Sequence, residues 1–292
     1  MMRRLTVLGT ASTIGRLCST SKNPVNVEEF TLNEEIVFRH LEIHKKWSEL
    51  GEKLVEAKSA KDYTTILNQA TMGLDYFKEV GAEDAPLQCE PMLLMEASQA
   101  SFNLKAYDDA VMYATKAKAC IEAAKNKDMA KLMEVNEFIG HIQLKQGKLK
   151  DAKVTFDAVL SWIDVDSKSA MPMVSVAARE MRRTVLLGVG LSIEAEAHAL
   201  VADGNDAKSV FSNALDRLVE SLDAHIEAGD VHSVRDALSG CLRCFIGLKD
   251  ESQATETCRK YRSWCERHED PEGMEAVAGF EDMIKKAFPA SN

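Results

Sequence analysis

Cysteines near the C-terminal end are the residues whose type and spacing come nearest to chemistry. Cys241-Leu-Arg-Cys244 is followed by Cys258, Cys265 and His268. Four thiolates, or three with an imidazole, make a tetrahedral zinc site. A C-x-x-C pair also runs thiol–disulfide exchange when its first thiol is acidified. The downstream spacing fits neither use: Cys258-x6-Cys265 is not a zinc-knuckle hairpin, and no glycine-rich turn follows Cys244. Residues at i, i+3 and i, i+7 instead share one helix face, where small apolar thiols fill a crossing. The cysteines therefore read as core, with no metal and no cofactor expected. The seven cysteines include Cys18 near the N-terminus and suggest no disulfide framework.

The other candidates are weaker. His40-Leu-Glu-Ile-His44 sets two imidazoles one turn apart, but Glu42 lies between them instead of next to the first, so this is not the H-E-x-x-H zinc motif. Gly9 to Gly15 lacks both the spacing and the Lys-Ser/Thr of a phosphate-binding loop. Gly188-Val-Gly190 follows no strand and suits a close helix contact or a kink. The acid pairs Glu34-Glu35 and Asp108-Asp109 fall on expected exposed faces, whereas general acid–base work needs a carboxylate in an apolar cleft. Arg179, Arg182 and Arg183 form the basic cluster of the chain after its leader. Arginine clamps carboxylates bidentately, so this cluster is a candidate partner-binding site for an acidic peptide. No catalytic grouping emerges, and an enzyme is not expected.

The chain must position these residues with helices. Its 292 residues hold 46% hydrophobic and 28% charged side chains, ordinary for a folded protein. There are six prolines, at positions 24, 86, 91, 172, 271 and 289, and all fall where helical patterns start or stop. Proline inside a helix removes a hydrogen bond and clashes with the preceding turn, so this placement predicts an almost wholly helical chain. No unbroken run of 18 apolar residues occurs, and no membrane span is expected.

Residues 1–26 differ from the rest. Arg3, Arg4, Arg16 and Lys22 stand among serines and threonines with no acid before Glu28. That is the composition of a mitochondrial transit peptide, with Arg16-Leu-Cys-Ser19 resembling a matrix-processing site. The expectation is a leader over 1–26, a folded body over 27–288 and a short tail over 289–292, localised to the mitochondrial matrix. The whole chain carries a net charge of −10, and loss of the leader makes the body more acidic still. Phosphate backbones are bound by lysine and arginine, so direct nucleic-acid binding is disfavoured.

Periodicity divides the body into helix pairs. They run over about 27–59 with 61–80, 91–104 with 107–126, 129–146 with 149–163, a fourth pair from Pro172, 231–248 with 251–268, and a last helix over 272–288. In the third pair, Gly140, Gly147, Ala152 and Phe156 follow the small-residue and ring spacing of a tetratricopeptide repeat, and the segment resembles that family. Trp47-x-x-Leu50-Gly51 resembles the repeat's opening, Tyr107 and Ala110 its second helix, and Ala207, Phe211 and Ala214 a further copy. The second arm of the first pair shows no clear register. Lys105 and Gly147 are equivalent corners 42 residues apart, longer than the usual period of about 34.

The resemblance implies a right-handed α-solenoid of about five TPR-like hairpins with a C-terminal capping helix. It also implies a docking function: a non-catalytic adaptor or structural subunit in a mitochondrial multiprotein complex. In such folds a partner's tail or helix docks on the concave face, so the Arg179, Arg182 and Arg183 cluster, or else the first helices of the early hairpins, is the expected surface. An organellar RNA-associated factor is the alternative reading, and a thiol or zinc protein the third.

Overall fold

A computed structural model describes residues 27–81, 85–86, 88–166 and 172–289. The leader expected over 1–26, with Gly9, Gly15 and Cys18, lies outside the described residues, as do residues 290–292 of the tail. Among the described residues there are eleven helices and no strand. They are α1 (Val27–Ser59), α2 (Tyr63–Val80), α3 (Cys89–Asn103), α4 (Tyr107–Ala123), α5 (Met129–Lys145), α6 (Leu149–Asp166), α7 (Pro172–Ala202), α8 (Lys208–Ala228), α9 (Val231–Gly247), α10 (Glu251–His268) and α11 (Pro271–Ala287). Each helix packs on its chain neighbour, and α7 also meets α5 and α9. Five hairpins stack in chain order, and α11 covers the last.

The hairpins share one corner. Lys61, Lys105, Gly147, Gly204 and Lys249 all adopt positive φ, between 54° and 79°. In each, this residue's N–H donates to the carbonyl three residues back, and the next N–H donates to the carbonyl five back. This double closure satisfies the orphan carbonyls of a helix end. The helix that follows is then often capped by an aspartate: Asp62 accepts from the Thr65 N–H and Asp250 from the Gln253 N–H. Between hairpins, Asp128, Asp230 and Asp270 do the same for α5, α9 and α11. α3 begins at Cys89, before the expected Pro91, because proline is tolerated in a first turn, where the N–H has no intrahelical partner.

Large side chains of one helix fill spaces left by glycines of its neighbours. Phe156 on α6 is fully buried. A Cβ on Gly140 of α5 would lie 2.6 Å from its Cε1, and one on Gly188 of α7 would fall on the same ring. Leu218 of α8 meets Gly190 of α7 and Gly240 of α9 in the same way, at 2.7 and 2.9 Å from the notional Cβ. Phe211 of α8 packs on Gly247 of α9. The Gly188-Val-Gly190 pair is thus a contact surface for two side chains from successive second helices.

In the first hairpin the alanine and ring are Ala70 and Phe77 on α2, seven residues apart, with Phe77 against Trp47 at 5.4 Å. Ala254 and the fully buried Tyr261 repeat that spacing on α10. Leu50 and Leu93 close on Gly73. Trp47, Leu50 and Gly51 themselves are half-buried on α1. Tyr107 meets Phe102 with tilted rings at 5.6 Å, and Ala110, Ala152, Ala207 and Ala214 are buried.

Among the described residues one stretch, Ala178–Ala202 of α7, would by length and mean apolarity suffice to cross a bilayer. It contains no unbroken apolar run of that length, so the sequence criterion passes over it. Its apolarity has a local cause: α7 touches α5, α6, α8 and α9 and is buried over more than half of the stretch. A helix surrounded by other helices is apolar on most sides.

Candidate functional site

The cysteines are divided between two packing clusters. Cys241 and Cys244 on α9 belong to the central core, whereas Cys258 and Cys265 on α10 pack with Tyr261, Val277 and Phe280. His268 lies exposed, its ring over Trp264 at 4.0 Å. The fold therefore does not bring the five residues to one point, and among the described residues no three potential ligands converge. Burial pushes the Cys241 thiol up to about 12 and the Cys244 thiol higher, the opposite of what a nucleophilic or ligating thiolate needs. His40 and His44 remain on the exposed side of α1.

The arginine cluster is assembled, but in company. Arg179, Arg182 and Arg183 line a shallow depression between α7 and α8 together with Glu180, Glu220 and Glu227. Arg182 donates to Asp164 Oδ1 of α6 at 2.7 Å and to Glu220 Oε1 of α8 at 3.0 Å, clasping three helices. The Glu220 hydrogen bond, with Asp164 adding to it, raises the Arg182 pKa above its ordinary value. The Arg183 carbonyl accepts from the Ser221 hydroxyl at 2.9 Å and faces His225 Nε2 at 3.2 Å. An acidic peptide would meet three glutamates as well as three arginines there.

A different surface carries a cleft of mixed apolar and acidic lining. α3 and α5, the first helices of the second and third hairpins, flank a cleft of about 370 Å³. Met92, Met95 and Phe138 supply its apolar lining, and Glu96, Glu134 and Glu137 its acids. Glu96 Oε1 accepts from Lys58 Nζ at 2.5 Å, while its Oε2 is buried with no hydrogen-bond partner. Lys131, which also lines the cleft, reaches instead to Gln88 Oε1 at 2.9 Å. Glu137 stands 3.8 Å from His141 Nε2, one turn along α5. Glu134 keeps solvent contact, yet desolvation raises its carboxyl above the ordinary range, with the like charges of Asp128 and Glu137 adding to the shift against Lys131.

Sequence reasoning did not find two buried polar groups in the C-terminal half. Glu194 on α7 is 5% exposed and receives both Nε and Nη2 of Arg243 from α9 at 2.9 Å, with His198 Nε2 at 3.0 Å. His225 near the end of α8 has no exposed surface and lies 3.3 Å from Asp230 Oδ2. Burial lowers its pKa despite the pull of Asp230. A lone Glu in an apolar helix gives no signal of an arginine partner 49 residues away, and nothing around His225 announces its contact with the Arg183 carbonyl 42 residues back.

No protein-family model matches the chain, and no curated protein matches it. Solved structures do. The chain is similar to Bacillus thuringiensis PlcR in complex with the peptide PapR7 and DNA, at 15% identity and a TM-score of 0.51, over 82% of this chain and 74% of that one. PlcR in its apo form gives 15% identity and a TM-score of 0.52, over 88% and 83% of the two chains. Aspartyl phosphate phosphatase F from Bacillus subtilis gives 12% and 0.54, over 90% and 66%. Identity this low carries fold and nothing finer. These neighbours are TPR-like helical-repeat proteins, and the present chain has the same TPR-like helical-repeat fold.

Proposed function

We propose that this chain is a non-catalytic protein-interaction adaptor that docks a segment of a partner protein in the cleft between α3 and α5. The observation that carries this reading is the composition of that cleft. It combines an apolar lining of Met92, Met95 and Phe138 with acids that the fold only partly compensates. Flexible methionines suit an apolar surface that adapts to a peptide. The solved complex of PlcR with PapR7 lends support, since that fold relative holds a peptide. The phosphatase neighbour does not extend its activity to this chain, whose C-terminal thiols and buried Glu194 and His225 are engaged in packing and pairing. The PlcR complex also contains DNA, but a net charge of −10 and an arginine cluster whose Arg182 is paired with Asp164 and Glu220 weigh against phosphate as the ligand here.

The composition of residues 1–26 makes the mitochondrial matrix our proposed setting, within a multiprotein assembly. N-terminal sequencing of the native protein is expected to start near Ser19; an intact Met1 on cytosolic protein would remove that setting. The docking reading is tested by recovering partners with Met92→Glu and Gln99→Lys, both exposed at the cleft, beside Val154→Glu on the outer side of α6. The two cleft variants should lose a partner that the α6 variant retains, with melting temperatures unchanged in all three. An identical partner set throughout would refute the cleft as the docking site.

A further inference from the structure

We propose that the α3/α5 cleft selects an arginine side chain on the docked segment, with its guanidinium on Glu137 and its alkyl stem on the methionines. The inference deepens the docking reading above and rests on it. Its ground is an internal repeat that the fold exposes. Glu137-Phe-Ile-Gly-His141 on α5 and Glu194-Ala-Glu-Ala-His198 on α7 are equivalent Glu-x-x-x-His turns on the first helices of successive hairpins. In each, the histidine ring meets the phenylalanine of the following helix edge-on at 5.0 Å: His141 on Phe156 and His198 on Phe211. In each, the histidine Nε2 faces the glutamate one turn back, at 3.8 Å and 3.0 Å.

The second copy shows what such a turn binds. Arg243 lays its fork across both oxygens of Glu194, two bonds of 2.9 Å each. The planar guanidinium suits a carboxylate in a way the point charge of lysine does not. Among the described residues no arginine pairs with Glu137. Arg243 reaches Glu194 from the following first helix, α9, whereas at Glu137 the cleft opens toward the preceding one, α3. A ligand arginine entering there passes Met92, Met95 and Phe138, against which its methylenes can lie. Glu134, one turn before Phe138, adds negative charge, and the buried Glu96 Oε2 leaves an acceptor unfilled on the opposite wall. The acids and the apolar lining together thus point to a cationic, arginine-bearing segment flanked by apolar residues.

The test uses pools of blocked heptapeptides whose central residue is arginine, lysine, citrulline or glutamate, with flanks randomised over alanine, leucine, methionine and phenylalanine. Full-length protein carrying labelled methionine methyl groups is titrated with each pool, and the Met92 and Met95 signals report the cleft. The arginine pool should shift those signals and bind roughly fivefold to tenfold more tightly than the citrulline pool. Glu137→Gln should abolish that preference while leaving the melting temperature unchanged; should it lower the melting temperature, Glu137→Asp serves as the check, weakening the preference without removing it. Equal binding of arginine and citrulline pools in the cleft would overturn arginine selection and leave docking intact. Methyl signals unmoved by every pool would overturn both.

Discussion

At Phe156 a single ring occupies the space that two glycines leave open, Gly140 on α5 and Gly188 on α7. The neighbouring backbones cannot close over that volume without moving three helices, so truncation leaves a cavity. Phe156→Ala is expected to cost about 3–5 kcal/mol, whereas Lys150→Ala on the exposed side of α6 should cost about 0.5 kcal/mol or less; chemical denaturation of both variants checks the contrast. His225 allows a second prediction at this scale. Its folded pKa lies below its ordinary value because burial disfavours the cation. The unfolded chain therefore binds the proton first, and stability should fall as pH drops below about 6.5. The charged groups facing it are Asp230 and Arg183, and Asp230 is itself held low, against its own burial, by Ser233 and by His225. Its own titration thus falls below the window in question. Melting curves between pH 7.5 and 5.5 should show this loss in the native protein and a shallower one in His225→Gln.

The elements are ordered by their corners. Lys105 and Gly147 occupy the same left-handed position, with φ of 63° and 73°, and close the same pair of hydrogen bonds. A side chain there costs about 1–2 kcal/mol where glycine costs little. Lys105→Gly should therefore raise stability and Gly147→Ala lower it, each by about 1 kcal/mol in thermal denaturation. The equivalence of these two corners was legible in the sequence, as were the hairpins, because apolar periodicity outlines the helices and the repeat spacing aligns their turns even where lysine stands at the corner. The core alanines and the Phe156 and Phe211 rings stood at their repeat spacing. The second arm of the first hairpin was not legible, since its ring is seven residues from its alanine, Ala70 to Phe77, and the repeat template places it nearer. Between elements, Arg243→Met would strand the buried Glu194 carboxylate; a cost of about 2–4 kcal/mol is expected, below that of a fully buried pair because Arg243 keeps a third of its side chain in water.

For the whole molecule, stacking of hairpins sets neighbouring helices side by side and opens depressions of unlike composition between them. The α7/α8 depression holds the arginines that spacing singled out, but Asp164 and Glu220 arrive from other helices to balance Arg182. No sequence pattern near Arg182 announces partners 18 and 38 residues away. The α3/α5 cleft was hidden for the converse reason: Met92, Met95, Glu134 and Glu137 are ordinary helix residues until two first helices are set side by side. What the sequence did carry was the repeat itself; for docking it pointed first to the Arg179, Arg182 and Arg183 cluster and only otherwise to the first helices of the early hairpins, where we propose the cleft. The most direct measurement of the docking proposal is site-specific photocrosslinking in cells, with the probe placed at Gln99 in the cleft or at Val154 on the outer side of α6. The account predicts a discrete crosslinked partner from Gln99 that is absent from Val154 and is reduced by Met92→Glu. The same product from both positions, or none from Gln99, would contradict it.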